Sequence, residues 1–134
     1  MSDEQKAAKD VKAKPRSFKD LLVWQKGMAL AKVIYEITRP FPHEEKFGLV
    51  SQMRRAAVSI PSNIAEGQAR HTTKEFIQFI SHAEGSVAEL ETQLMLAVDL
   101  GYCVPRQVDE AFRLISDLRN MLNALRRTLS RNDG

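Results

Sequence analysis

The sequence predicts an all-α protein folded as an antiparallel, up-down-up-down four-helix bundle with a kinked second helix. Three observations carry this expectation. Apolar residues recur at helical spacing over four long stretches, short Pro-, Gly- or cap-bearing segments separate the stretches, and no segment alternates apolar and polar residues as a strand would. At 134 residues the chain suits one domain with a real core. The expected bounds are a disordered basic tail at 1–16, the bundle at 17–130 and a disordered C-terminus at 131–134.

The first helix is expected from Ser17, which stands three residues before Asp20 in a capping-box-like start. Leu21, Trp24, Met28, Ala31 and Tyr35 form one apolar row, and Val23, Leu30, Ile34 and Ile37 form a second beside it. A helix apolar over two rows needs more than one neighbour. Pro40 and Pro42 bias their predecessors away from the helical basin and end it. In the second helix, Leu49, Val50, Met53, Ala56, Ala57, Ile60 and Ile64 keep one face apolar straight through Pro61, so a kink is expected there instead of a break. Thr72 and Glu75 make the capping box of a third helix, whose core face is Phe76, Phe79, Ile80, Ala83, Val87, Leu90, Leu94, Ala97 and Val98. Gly101 is its expected left-handed cap. Pro105 suits the first turn of a fourth helix, in which Val108, Ala111, Ile115, Leu118, Leu122, Leu125 and Leu129 alternate steps of three and four. Helices of about 20 to 28 residues span roughly 30 to 40 Å, and short loops make consecutive ones antiparallel neighbours.

Composition excludes several classes. No apolar run approaches the ~18 residues that span a bilayer, and the N-terminus lacks the apolar core of a signal peptide, so a cytoplasmic protein with no membrane partner is expected. The single Cys103 reads as a half-buried small residue. His43 and His71 fall in loops and His82 on a polar face, and no Glu-x-x-His pair exists to build a carboxylate-bridged metal centre. No catalytic residue, metal ligand, cofactor or small-molecule substrate is therefore expected. The charge is uneven: residues 44–101 hold five basic and eight acidic groups, whereas residues 1–16 hold five and three and residues 102–134 six and four. Lys9, Lys12, Lys14 and Arg16 in the tail, with Arg119, Arg126, Arg127 and Arg131, are the candidate phosphate contacts. The last four equally suit a helix C-terminus with no ligand.

The segment SQMRRAAVSIPSNIAEGQAR carries the remaining candidates. Gln52, Arg55, Ser59, Asn63 and Glu66 form a short-chained polar row, and Arg54, Val58, Pro61 and Ala65 a small or apolar row. Such rows suit either the closing edge of the bundle itself or a subunit interface. Glu84 and Glu91 flank the core face of the third helix and are expected to pair with Arg54, Arg55 or another boundary arginine.

Several motifs in order make the chain recognisable: Leu21 to Gln25 as LLVWQ, Phe41-Pro42, FGL at 47–49, QMRRAA at 52–57, SIPSNIAEG at 59–67 and GSVAEL at 85–90. Over residues 17–130 it resembles the bacterial 23S rRNA intervening-sequence proteins. The resemblance implies an up-down four-helix bundle that assembles with itself into a ring, a homopentamer. Genes of the family lie in insertions within large-subunit rRNA genes or stand free. A related branch, the accessory proteins of diversity-generating retroelements, associates with a reverse transcriptase and with nucleic acid. The implied partners are thus a second copy of this chain, RNA or DNA, or a nucleic-acid enzyme such as a reverse transcriptase. A protein adaptor that touches no nucleic acid is the alternative expectation.

Overall fold

The computed structural model describes Ser2, residues 17–103 and residues 105–133. Four α-helices account for most of these: α1 (Leu22–Thr38), α2 (Leu49–Gln68), α3 (Thr73–Asp99) and α4 (Pro105–Asp133). No strand occurs among the described residues. Each helix packs on the next, and α4 packs back on α1, closing a bundle around one core.

The helix ends follow local chemistry. Ser17 caps a 3-10 turn at Phe18–Asp20, its hydroxyl accepting from the Lys19 N–H, and the α-helix begins only at Leu22. Phe18 packs edge-on against Trp24, ring centres 5.3 Å apart, holding that turn against α1. Thr72 caps α3 by accepting from the Glu75 N–H. The end of α3 is a Schellman motif: Gly101, at φ 76°, donates to Val98 and Tyr102 donates to Ala97. Pro105 opens α4, where its missing N–H has no helical partner to lose.

All seven expected core residues of α2 and all seven of α4 are buried. In α3, Ile80 to Ala97 are buried as expected, with Phe76, Phe79 and Val98 at the boundary. α1 differs from expectation. Its second row, Val23, Leu30, Ile34 and Ile37, lies in the core, while Trp24 and Met28 of the first are half-buried and Tyr35 is exposed. α4 is helical to Asp133, through positions expected to lie beyond the bundle.

Two close contacts fix how α2 sits. Pro61 lies inside α2, which continues on both sides of it, and a Cβ on Gly27 of α1 would stand 3.3 Å from the Pro61 ring. Glycine at 27 is what lets α1 approach that ring. At the other end, a Cβ on Gly67 would come 2.8 Å from Phe79 and 2.9 Å from Phe76. Contacts between neighbouring helices pair residues whose numbers rise on one helix as they fall on the other. Gly27 with Pro61 and Thr38 with Arg54 join α1 and α2; Arg126 with Glu84 and Arg119 with Glu91 join α4 and α3.

Candidate functional site

The rows of α2 divide by neighbour. Ser59 turns toward α3: its hydroxyl donates to the Ala56 carbonyl at 2.8 Å and stands 2.6 Å from the Ser86 hydroxyl. The Asn63 amide donates to the Ser59 carbonyl at 2.7 Å. Gln52, Arg55 and Glu66 of the same row are exposed. Ser59 therefore helps close the α2/α3 seam, Asn63 bonds back to its own helix, and the three longer side chains stay at the surface.

The adjoining row meets α1. Arg54 donates through Nε to the Thr38 hydroxyl at 3.0 Å and lays its guanidinium 4.5 Å from the centre of the Tyr35 ring. The Thr38 hydroxyl in turn donates to the Ile34 carbonyl at 2.8 Å. A cation at the C-terminus of α1 complements the partial negative charge of its unpaired carbonyls, so Arg54 acts as a cap supplied by another helix.

Glu84 and Glu91 take Arg126 and Arg119 of α4 as partners, and Arg126 also donates to the Ser81 hydroxyl at 2.8 Å. Two of the candidate phosphate contacts are thus engaged within the molecule. Arg127 and Arg131 are exposed and have no ion-pair partner among the described residues. Lys9, Lys12, Lys14 and Arg16 lie outside the described residues. Contacts near Ser81 and Arg126 bring the start of α3 beside the end of α4, which gathers Lys74, Arg127 and Arg131 at one end of the bundle. Lys26 of α1 meets Asp117 of α4 at 3.2 Å, so the second turn of α1 lies beside the middle of α4.

At the opposite end, Tyr102 ties the two loops together. Its hydroxyl donates to Glu45 at 2.7 Å and its ring packs on Phe41, centres 5.4 Å apart. Glu45 also accepts from the Leu49 N–H, the first of α2. The Tyr102 hydroxyl, then that N–H, hold the Glu45 carboxyl below its ordinary value, and donating to Glu45 pushes the Tyr102 phenol up. Burial raises the Cys103 thiol, which leaves less of the reactive thiolate. His43, His71 and His82 are all exposed, and no group of three or more His, Cys, Asp or Glu among the described residues could hold a metal ion. No described helix is long and apolar enough to cross a membrane.

Two exposed apolar patches include side chains outside the expected rows. Phe47, 88% exposed, stands beside Tyr35 and Val58 over the α1/α2 groove. On α3, Met95, Leu96 and Leu100 are each about half exposed, at 55%, 48% and 50%. The sequence held one signal for the second patch: Leu96 and Leu100 fall off the core row of α3, yet they are neither polar nor small.

No curated protein matches the chain significantly. The family described as 23S rRNA-intervening sequence protein matches residues 19–124, a span that takes in α1, α2 and α3 and most of α4. With that span covering most of a four-helix protein, the chain belongs to the 23S rRNA-intervening sequence protein family.

Proposed function

We propose that the protein is a non-enzymatic, cytoplasmic, homo-oligomeric bundle that serves as an RNA- or ribonucleoprotein-associated scaffold. The observation that carries the assembly is the pair of exposed apolar patches, around Phe47 and around Leu96, on a molecule whose core is otherwise closed. Large apolar side chains gathered in patches on a small domain mark association surfaces. Support for RNA association comes from the basic end formed by Lys74, Arg127 and Arg131, and from a family description that ties its members to 23S rRNA. A ring would repeat that basic end once per subunit, so weak phosphate contacts would add by avidity.

Light scattering at micromolar concentration tests the assembly. The expected mass is a multiple of 15.2 kDa, five chains if the ring is a pentamer, and a mass of one chain overturns the reading. Filter retention of a structured 23S rRNA fragment against salt tests the RNA association. Replacing Arg127 and Arg131 with alanine, together with Lys9, Lys12, Lys14 and Arg16, should weaken retention and flatten its salt dependence by about 0.7 to 0.9 of a log unit for each phosphate that the variant leaves unneutralised. Retention that is absent at low salt, or unchanged in the variant, leaves the scaffold as an adaptor between proteins.

A further inference from the structure

The two exposed patches differ in charge. Around Phe47, the groove is lined by Lys46, Arg54 and Arg55 and by no carboxylate. Around Met95, Leu96 and Leu100 stand the exposed Glu89 and Asp99, and the sequence has no lysine or arginine between Lys74 and Arg106. One patch is apolar with a cationic rim, the other apolar with an anionic rim. Either patch set against its own like would bring same-sign charges together. The cationic patch of one copy against the anionic patch of another covers both apolar sets and opposes unlike charges.

Gly85 adds a separate observation. It lies on the outward stripe of α3 with Ala88, Thr92 and Leu96, and a Cβ built on it meets nothing in its own chain within 4 Å. Glycine weakens a helix interior, and the fold of the single chain does not require it here. Close approach by a second chain would.

We propose that the Phe47 patch of one copy seats on the outer face of α3 of the next, Phe47 against Leu96 and Leu100, with Lys46 and Arg55 opposite Glu89 and Asp99. The two surfaces are different parts of one chain, so every copy offers one of each, and the contact is made either twice across a two-fold axis or head-to-tail around a closed ring. This rests on the oligomeric reading above.

The test uses full-length chains carrying Phe47→Asp, or Leu96→Lys with Leu100→Lys. All three positions are exposed, so wild-type helicity by circular dichroism is expected. Each variant alone should scatter as a single chain. Mixed in equal amounts at about 300 μM, they should form a one-to-one dimer and nothing larger, because each supplies the intact patch that the other lacks. A second readout uses Phe47→Cys with Leu96→Cys in a Cys103→Ser chain, which should cross-link between copies on oxidation. Wild-type association with no change of mass in either variant, a mixture that stays monomeric, or no cross-linking overturns this pairing and leaves assembly standing. A monomeric wild type overturns both. Unchanged mass with loss of rRNA retention in Phe47→Asp would assign the patch to RNA instead.

Discussion

The seams around α2 and the seam between α3 and α4 are built on different rules. Beside its buried aliphatic row, α2 meets its neighbours at three points through small or short groups: Gly27 under Pro61, Gly67 under Phe76 and Phe79, and Ser59 against Ser86. The α3/α4 seam is a regular ladder of buried aliphatic residues edged by two long ion pairs, Glu84 with Arg126 and Glu91 with Arg119. A seam of the first kind depends on the absence of atoms, and one of the second kind on the presence of area. The first should be brittle toward added volume, and the second tolerant of lost charge.

The largest expected effect breaks the small-group seam. Gly67→Val adds a branched Cβ where even one carbon would stand 2.8 Å from Phe79. Overpacking of a site this tight, between a helix and the first turns of the next, should destabilise by about 3 kcal/mol, read as a lowered Tm in thermal unfolding. A Tm within error of wild type would show that the two phenylalanines swing aside freely.

Arg54→Ala comes next. It removes the cation that caps α1 and the stack on Tyr35, and should destabilise by about 1 to 2 kcal/mol in urea unfolding. Arg54→Lys should recover little of this, because an ammonium cannot both stack flat on Tyr35 and donate sideways to Thr38. Full rescue by lysine would reduce the role to charge alone. On the other seam, Arg126→Ala or Arg119→Ala should each change stability by less than about 1 kcal/mol, with the difference shrinking as salt is added. The sharpest form of the comparison is the pair Arg54→Ala and Arg126→Ala in one salt series: only the second should converge on wild type.

The smallest effect is gated by pH. The depressed Glu45 carboxyl contributes stability above its ordinary value of 4.5, and that contribution is lost as pH falls through the lowered one. The raised Tyr102 phenol contributes below its ordinary value of 10.0 and loses that contribution as pH rises through the raised one. Tyr102→Phe should therefore lower Tm at neutral pH and converge on wild type only as pH falls through the lowered Glu45 value, where the partner carboxylate becomes protonated. A gap that persists in acid would assign the loss to packing on Phe41.

Periodicity made the helices, their caps and most of the core legible, and each exception has a physical cause. In α2 and α4 one apolar row stands clear of polar neighbours, so its burial follows from spacing alone. In α1 two rows compete, and spacing cannot rank them. What decides is the bare surface at Gly27, which draws α2 onto that side and leaves Tyr35 at the groove edge. Ser17 has the residue spacing of a capping box but caps a 3-10 turn, because the chain stays extended at Leu21 before the helix starts. The candidate site was legible in part. The composition of the segment around Pro61 left a bundle edge and a subunit interface equally open; within the chain, Ser59 meets Ser86 of α3 and Arg54 meets Thr38 of α1. Phe47 carried no signal, since a single aromatic in a loop has no period to betray where it points.

The contact of Lys26 with Asp117 joins residues 91 positions apart, and it has a consequence for synthesis. α1 packs on α2 and on α4, but the 29 residues of α4 are made only after α2 and α3. A chain emerging N-terminus first at about 5 to 20 residues per second keeps one flank of α1 uncovered for about 1.5 to 6 seconds after α3 is complete. During that interval the three-helix intermediate on the ribosome presents an open apolar trough, and co-translational chaperone capture should be strongest there and end abruptly once α4 docks.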